Sequence, residues 1–342
     1  MPKLFFLPVF LFFICSTSCV AFSHDENEKD TLTDAEEVEL FRSNWEQELI
    51  FVRHWNDSVD VSYIGNNQLY SDAWDTLSHP QFWKHIMRLS ADSCVINIAK
   101  TRQVVAKMSV KDWESMNEPQ KEAYRNNVRA KYQLSSSDKI YMTTGKADFY
   151  AFEKVLPSVS KGVEVFRQEG VDPWYAQAIL MIESPGKLAR SNVGAYGPFQ
   201  LMPSVARSHG LTVNKYKDER QDFVRSAQGA ASLIKNTCIP EARKILANYY
   251  IGYNETDLWF RLFVLHIYHA GASNVAAVMR VINPKIGNPQ LIQTMWQTSA
   301  GQFRNASQNY TQLALAAMLI LDELILFDCD YISTDQQLEI KG

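Results

Sequence analysis

The sequence predicts an all-α protein, and three observations lead to this prediction. Apolar side chains recur at three- and four-residue steps along much of the chain, the spacing of one helix face. Capping side chains, prolines and glycines stand at the ends of several of these runs, where they begin and end helices. In the second half of the chain no run requires a sheet, although residues 189–200 are compatible with a small hairpin.

Length, composition and charge set broad limits on the protein. The 342 residues allow roughly two domains with a sizeable core, and 46% hydrophobic with 21% charged residues is ordinary for a globular protein. The net charge of −4 and the absence of a long basic block argue against a nucleic-acid partner. Three serines at 135–137, followed by Gly145, mark the predicted boundary between an N-terminal region (24–147) and a second region (148–342).

Residues 1–23 have the pattern of a signal peptide. Lys3 precedes an apolar run, 4–14, that is too short to span a bilayer as a helix. The segment 16–19 loosely resembles a lipoprotein box, which would place an acyl anchor on Cys19. Cleavage after Ala21 or Ser23 fits equally well, so the sequence predicts export and leaves the lipid anchor open.

The N-terminal region after the leader is predicted to be mostly helical, with an unknown role. Residues 24–39 are polar and acidic, as in a tether. Helical spacing then connects six apolar residues, Val38, Phe41, Trp45, Leu49, Val52 and Trp55. Further helices are predicted near residues 80–107 and 119–132.

Metal and cofactor motifs are not predicted. Cys94, Cys238 and Cys329 are too widely spaced for a metal site, and they fit either a Cys238–Cys329 disulfide or buried free thiols. The pair His266 and His269 lacks the glutamate and the third ligand of a zinc-protease helix.

The second region is predicted to consist of several helices. A helix over 148–169 is followed by a short apolar one, Trp174 to Glu183, which Asp172 and Pro173 begin and residues 184–186 stop. Asp222 is predicted to cap a helix that reaches toward Leu246. The run 258–268 is apolar on nearly every side and should form a central buried helix, and 310–327 should form the last one.

Glu183 is the candidate catalytic residue, because the short helix carries a single carboxyl group to its end. Such a group works as a general acid near neutral pH when burial raises its pKa. Gly197 in the following turn would let the backbone approach a ligand, and Gln200 offers both a donor and an acceptor. The next acids, at 218, 219 and 222, stand beside Arg220 and Arg225, so loop-fixing ion pairs are the favoured interpretation for them.

These residues carry a resemblance to a known family. Glu183-Ser184, followed by Gly194-Ala195-x-Gly197-x-x-Gln200-x-Met202-Pro203-x-x-Ala206, resembles the soluble-lytic-transglycosylase (SLT) domain, whose fold is similar to goose-type lysozyme. Tyr268-His269-Ala270-Gly271 resembles its third motif, usually Tyr-Asn-Ala-Gly, and Tyr310 stands where the family has a late tyrosine. Residues 210–222 are most similar to the membrane-bound lytic transglycosylase D branch. The resemblance covers about residues 149–327.

The resemblance implies a peptidoglycan lytic transglycosylase with an all-α, lysozyme-like catalytic domain. Glu183 would act first as general acid and then as general base, cleaving the β-1,4 bond after N-acetylmuramic acid to give 1,6-anhydro products without water. The other roles implied are contacts with the glycan strand or with Glu183, made by Ser184, Gly197, Gln200, Met202, Tyr268, His269 and Tyr310. Where His269 replaces asparagine, the hydrogen bonding of that position is altered and becomes pH-sensitive.

The partner implied is therefore the peptidoglycan glycan strand, with no cofactor. The location implied is the periplasm, or the outer membrane as a lipoprotein, of a Gram-negative bacterium. Two alternatives remain at this point. One is a lysozyme- or chitinase-type hydrolase on the same fold, and the other is a non-catalytic glycan-binding envelope protein. The oligomeric state is open.

Overall fold

Helices dominate the fold, but two small antiparallel sheets accompany them. The computed structural model describes residues 45–54, 60–150, 152, 155–183, 191 and 194–331. The all-α prediction is therefore only approximate, because each sheet has three strands, in the orders β2-β1-β6 and β4-β3-β5. The strands are β1 Leu49–His54, β2 Asp60–Ile64, β3 Ser93–Ile98, β4 Val104–Ser109, β5 Ile140–Thr144 and β6 Cys329–Tyr331.

The N-terminal region, predicted to be mostly helical, contains strands as well as helices, since five of these strands lie before residue 147. The helices that accompany them are α1 Gln68–Ser71, α2 Ser78–Arg88, α3 Val110–Ser115 and α4 Glu118–Lys131. The predicted helix at 119–132 is confirmed as α4, which Asn117 and Gln120 begin with a capping box. The predicted signal peptide, Cys19 and the acidic tether lie outside the described residues.

Two predicted helices contain strands instead. The helical spacing from Val38 to Trp55 fails over Leu49–His54, where Ile50, Phe51 and Val52 suit a pleated strand that pairs with β2. Similarly, the helix predicted for 80–107 ends at Arg88, and a buried apolar run then forms the central strand β3. A short apolar run is compatible with the periodicity of a helix and with that of a strand. Here, pairing with segments distant in sequence makes these runs strands.

The second half of the chain is helical in the part that the structure describes, apart from the short strand β6. Its helices are α5 Leu156–Gln168, α6 Trp174–Glu183, α7 Pro203–Ser208, α8 Phe223–Leu233, α9 Ile239–Ala247, α10 Leu258–Ala270, α11 Ala272–Ile282, α12 Pro289–Met295 and α13 Asn305–Asp328. Helix α5 begins later than predicted, with a proline in its first turn. Helices α8 and α9 are joined by a π-helical segment, Ile234–Cys238, and Asp222 caps α8 as predicted.

Helices α10 and α13 form the centre of the core. Every residue of α10 from Leu258 to Ile267 is buried, as predicted. Helix α13 is long and apolar enough to cross a membrane, but 67% of its apolar window is buried inside the protein. Burial of this kind is typical of the core helix of a globular fold. It is the single helix of that length and hydropathy among the described residues.

The hydrophobic core continues across the predicted boundary at residue 147. Gln177 on α6 donates from Nε2 to the Ile64 carbonyl and accepts from the Ile64 amide, both at 2.9 Å. Buried Arg261 on α10 bonds Asp172 and Glu48, each at 2.7 Å. The boundary stays a prediction, and the described part of the N-terminal region packs against the second region.

The cysteines of the described chain do not form a disulfide with one another. Cys94, Cys238 and Cys329 are all buried. Of the two alternatives that the sequence left open, the Cys238–Cys329 disulfide is not formed.

Candidate active site

Helix α6 delivers Glu183 to its C-terminal end, as the sequence predicts. Asp172 begins the helix by accepting a hydrogen bond from the Trp174 amide at 2.9 Å. Residues Trp174 to Ile182 are all buried, so the helix is fixed within the core on every side. Glu183 is its first partly exposed residue. The element therefore holds one acid rigidly at the edge of the core.

The environment of Glu183 suits a general acid. Burial raises the pKa of its carboxyl from 4.5 to about 7, and an interaction with Tyr310 acts in the opposite direction. No charged side chain of the described chain is among the causes of this shift. An acid with a pKa near neutrality can give up a proton and take one back under the same conditions.

Three tyrosines interact electrostatically with Glu183, namely Tyr150, Tyr268 and Tyr310. The Tyr268 hydroxyl donates to the Phe199 carbonyl at 2.6 Å, which ties α10 to the turn after Glu183. The Tyr310 hydroxyl lowers the pKa of Glu183, although this buried hydroxyl has no hydrogen-bond partner in the described chain. It is therefore a buried donor held near the acid.

His269 lies beside this group on the exposed side. Its ring stacks on that of Tyr310, with the ring centroids 4.3 Å apart and the planes 28° apart. Packing lowers the pKa of the imidazole, so it is held toward its neutral form. His269 thus covers Tyr310, the tyrosine whose interaction lowers the pKa of Glu183.

The turn from Gly194 to Met202 forms another part of the candidate site. The backbones of Tyr196 and Leu201 exchange two hydrogen bonds of 3.2 Å, and this bridge is the part of the predicted hairpin that the described residues contain. Gln200 has a left-handed backbone (φ +47°), and its side chain donates to the Gly197 carbonyl at 2.9 Å. Met202 is 37% exposed at the start of α7.

Gly197 is required by close packing. Its φ is +83°, and a Cβ at this position would stand 1.9 Å from the carbonyl oxygen of Arg220. The sequence-based expectation was that this glycine lets the backbone approach a ligand. In the structure the group that approaches it is protein backbone.

Arg220 holds the turn from behind. It is 1% exposed, and its Nη1 donates to the carbonyls of Gly194 and Leu201 at 2.9 and 2.8 Å. Its Nε and Nη2 form a bidentate pair with Asp218 at 2.8 and 2.7 Å. Glu219 likewise pairs with Arg225 at 3.4 Å. The acids at 218 and 219 therefore fix the loop, as the sequence predicted, and 222 serves as a helix cap.

Comparison with known families adds an independent result. Residues 164–283 match the family model of the Transglycosylase SLT domain. This domain is lysozyme-like and mostly helical, and it implies lytic transglycosylase activity on peptidoglycan in general. Proteins with the domain act on peptidoglycan in the periplasmic space. No curated protein matches the chain.

The matched segment contains most of the predicted site. Glu183, Gly197, Gln200, Met202, Tyr268 and His269 lie within the SLT-matching residues, and Tyr310 lies beyond them. The structure brings Tyr268 and Tyr310 to Glu183, while Gly197 and Gln200 build the neighbouring turn. Ser184 lies outside the described residues. Among the described residues, no group of three or more His, Cys, Asp and Glu side chains could hold a metal ion.

The sequence did not predict Tyr150 as part of the site, and it predicted Arg220 only as an ion-pair partner. Tyr150 stands in a turn before α5, where its amide donates to the Lys146 carbonyl, and it is 7% exposed. No motif marks it, because only the packing of that turn brings it near Glu183. Arg220 was visible as an ion-pair partner, but its two hydrogen bonds to the turn before α7 depend on tertiary contacts.

Proposed function

We propose that this protein is a lytic transglycosylase in which Glu183 is the single general acid and base. The proposal depends on one observation, a carboxyl whose pKa is raised by burial to about 7 against the opposing effect of Tyr310. The acids that follow it in the sequence are engaged in ion pairs and a cap. A pair of free carboxylates, as common glycoside hydrolases use, is therefore not supported.

The reaction proposed has two proton transfers and consumes no water. Glu183 protonates the oxygen that joins N-acetylmuramic acid to the next sugar, and the C1–O bond breaks as that sugar leaves. The acetamido group of the muramic residue stabilises the positive charge that develops at C1. The Glu183 carboxylate then removes the proton of the 6-hydroxyl, and O6 bonds to C1 to close the 1,6-anhydro ring. Attack within one sugar benefits from the high effective concentration of a tethered nucleophile.

The surrounding side chains are assigned supporting roles. Tyr310 would donate to the Glu183 carboxylate formed after the first step, and Tyr268 would keep the turn against the acid. Gln200 and Met202 would contact the acetylated sugars along the rim, with Gly197 shaping the turn and His269 shielding Tyr310. Ser184, which directly follows the acid, is proposed to bind near it. Hydrogen bonds of this type are often long in the free enzyme and tighten on the substrate.

The cellular setting proposed is the envelope of a Gram-negative bacterium. Residues 1–23 would direct export, with or without an acyl group on Cys19, and the chain would act in the periplasm or at the outer membrane. Within this proposal, the resemblance of residues 210–222 supports assignment to the membrane-bound lytic transglycosylase D branch.

Digestion of purified sacculi by the full-length mature protein tests the function. The wild type should release products that end in an anhydro sugar, lighter by one water than hydrolytic products, as mass spectrometry will show. The Glu183→Gln variant should lose activity by roughly 100- to 10,000-fold, because general acid–base catalysis contributes about that much. Glu114→Gln, at an exposed position on α3, serves as the matched control.

Two outcomes would contradict the proposal. Products that have gained water would identify a hydrolase, and glycan binding without cleavage by the wild type would identify a glycan-binding envelope protein. Undiminished digestion by Glu183→Gln would remove Glu183 from the mechanism.

A further inference from the structure

A polar cleft of about 310 Å³ lies between the β4-β3-β5 sheet and helices α12 and α13. The N-terminal region contributes His79, the loop around Lys100 and Arg102, and the segment from Ser137 to Tyr141. The catalytic half contributes Trp296, Gln297 and the first turns of α13. None of the residues assigned to the Glu183 site lines it. Its volume is at the lower end of the range for small-ligand sites, about 300–1,000 Å³.

Arg102 is the most unusual residue of this cleft. It is 7% exposed, and it has a left-handed backbone with φ +59°. Its Nη2 donates to Asn309 Oδ1 at 2.6 Å, and its guanidinium lies over the rings of Phe82 and Trp83 at 5.3 and 5.4 Å. Its Nε is buried without a hydrogen-bond partner, and no carboxylate pairs with it in the described part of the chain. A buried guanidinium without an acid is a costly arrangement that a bound anion would relieve.

The other charges of the cleft are mostly positive. Lys100 and Lys139 stand exposed at its rim, and Asp138 is the single acid that lines it. Asp138 already accepts hydrogen bonds from the amide and the hydroxyl of Ser135, at 2.8 and 2.9 Å. His79 adds no charge at neutral pH, since burial and the neighbouring Arg102 lower its pKa to about 4.

The N-terminus of α13 adds to the positive potential. Asn305 is the first residue of this 24-residue helix and lines the cleft, and the preceding Arg304 makes no side-chain cap. The amides of the first turn of a helix carry the positive end of its dipole and favour anions. This end of α13 thus faces the same cleft as the buried guanidinium.

Amide side chains complete the lining. Gln312 is already engaged, since its Oε1 accepts from Trp83 and its Nε2 donates to the Gln308 carbonyl. Asn305 Oδ1 accepts from Asn309 and Gln308 Nε2 donates to the Thr298 carbonyl, so within the described chain Asn305 keeps a donor and Gln308 an acceptor for a ligand. Together with the side chain of Gln297, these groups complement a peptide backbone. We infer that the cleft binds a short peptide by its carboxylate, with Arg102, Lys100 and Lys139 holding the anion and the amide side chains holding the peptide groups.

The inference deepens the proposed function and rests on it for the identity of the ligand. Peptidoglycan strands carry short peptides that end in carboxylates, so the same polymer would supply both the glycan at Glu183 and the peptide at the cleft. The two sites share helix α13, which contributes Asn305 and Gln308 to the cleft and Tyr310 to the acid. Peptide binding would then anchor the strand and lower the KM for peptide-bearing glycan.

A matched pair of peptides tests the site without any cleavage. Binding of N-acetyl-alanyl-alanine to the mature full-length protein is compared, by calorimetry, with binding of the same peptide carrying a C-terminal amide. The free acid should bind at least about tenfold more tightly, as expected when a charge-assisted hydrogen bond is gained. Inorganic phosphate is titrated separately, and binding as tight as that of the peptide acid would mean a general anion site and overturn the peptide assignment.

Variants of the two exposed lysines at the rim, Lys100 and Lys139, provide a second test, because exposed lysines can be changed without disturbing the fold. The Lys100→Gln/Lys139→Gln double variant should bind the peptide acid about tenfold more weakly and leave the amide unaffected. The Lys107→Gln/Lys111→Gln double variant removes the same charge from exposed positions that do not line the cleft, and it should bind like the wild type. Equal affinity for acid and amide, or unchanged binding by the rim variant, would overturn the inference.

Kinetics on two glycans separates this inference from the function itself. The wild type should show a lower KM for peptide-bearing strands than for strands stripped of peptide, and the rim variant should lose that difference without losing kcat. Cleavage of both strands with equal KM would contradict the peptide site while leaving the transglycosylase intact. Peptide binding without any cleavage would contradict the proposed function while leaving the site intact.

Discussion

At the scale of single residues, two opposing effects set the acidity of Glu183. Burial raises the pKa of its carboxyl, and the Tyr310 hydroxyl lowers it by stabilising the ionised form. The result, about 7, lies between that of a free glutamate and that of a carboxyl buried among apolar groups alone. An acid that must reverse its role within one turnover needs such a balance.

Replacing Tyr310 should therefore shift the pH dependence of the reaction. Glu183 must be protonated at the start, so activity should fall as the pH rises through its pKa. The Tyr310→Phe variant loses the interaction that lowers this pKa, and the alkaline limb of kcat/KM should move to higher pH. The rate at the optimum should fall about tenfold, because the carboxylate formed in the first step loses a donor.

Tyr150→Phe is the matched control for this experiment. Tyr150 also interacts with Glu183, but it is not among the causes of the shift in the pKa of that carboxyl. The alkaline limb of the kcat/KM profile of Tyr150→Phe should coincide with that of the wild type. A pH profile of Tyr310→Phe that superimposes on the wild type would show that the tyrosine does not tune the acid.

The raised pKa of Glu183 also makes a prediction about stability. Because the folded-state pKa lies above the unfolded one, folding binds a proton between pH 4.5 and 7, and stability is lost as the pH rises through this window. Glu183→Gln has no charge to bury. Its free energy of unfolding should therefore equal that of the wild type near pH 4 and exceed it by about 1–3 kcal/mol above pH 7. Urea unfolding at both pH values measures this, and a difference that does not grow with pH would refute it.

Some of these site residues could be predicted from the sequence, and others could not. Glu183 could be found because proline and glycine stop its helix directly after it, which leaves one polar group at the end of an apolar segment. Tyr268 and Tyr310 were found through motif order alone. Tyr150 is hidden because the turn that places it is specified by contacts with Lys146 and the sheet, and these leave no periodic trace in the sequence.

At the scale of elements, the turn from Gly194 to Met202 is held rigidly by hydrogen bonds. Arg220 bonds two of its carbonyls, Gln200 bonds a third, and the bridge between Tyr196 and Leu201 closes it. Tyr268 attaches it to α10 through the Phe199 carbonyl. A rigid wall of this kind positions substrate without the loss of conformational entropy that an ordering loop would require.

The Gly197→Ala variant should break this arrangement. Its left-handed backbone disfavours alanine, and the new methyl would overlap the Arg220 carbonyl, so the turn must move. We expect a loss of about 2–4 kcal/mol in stability and at least a tenfold drop in activity. Gly194→Ala is the informative control, because it is also left-handed (φ +93°) but meets nothing within 4 Å. Equal losses in both variants would show that backbone strain alone, rather than contact with Arg220, is responsible.

Elements were predictable where local signals are strong and ambiguous where they are not. Helices α4, α6, α8 and α10 follow from caps and from long apolar faces. Strands β1 and β3 are short apolar runs whose partners lie elsewhere in the chain, such as Ile64 opposite Leu49 and Thr144 opposite Cys94. Because pairing rather than propensity makes them strands, the sequence alone predicted helices there.

At the scale of the whole molecule, the catalytic half depends on residues that family similarity does not cover. The family match begins at residue 164. However, the Ile64 amide on β2 donates a hydrogen bond to the Gln177 side chain, and the Ser62 amide donates one to the Ser160 hydroxyl. Strand β6 at the end of α13 returns to pair with β1. Chain segments far apart in sequence thus complete one core, and a boundary drawn from motif coverage does not reveal this.

Removing residues 1–147 should therefore destabilise the remaining fragment, which should not fold as an independent domain. The fragment 148–342 would leave β6 unpaired, expose the apolar faces of α5 and α13, and deprive buried Gln177 and Arg261 of Ile64 and Glu48. Buried polar groups without partners each cost about 1–3 kcal/mol, and a domain is stable by only about 5–15 kcal/mol. We expect the fragment to be insoluble or to unfold without cooperativity in thermal circular dichroism. The protein from residue 24 onward, which lacks only the predicted signal peptide, should melt cooperatively. A fragment that melts as sharply as this control and still digests sacculi would show that the N-terminal region is dispensable for both the fold and the chemistry.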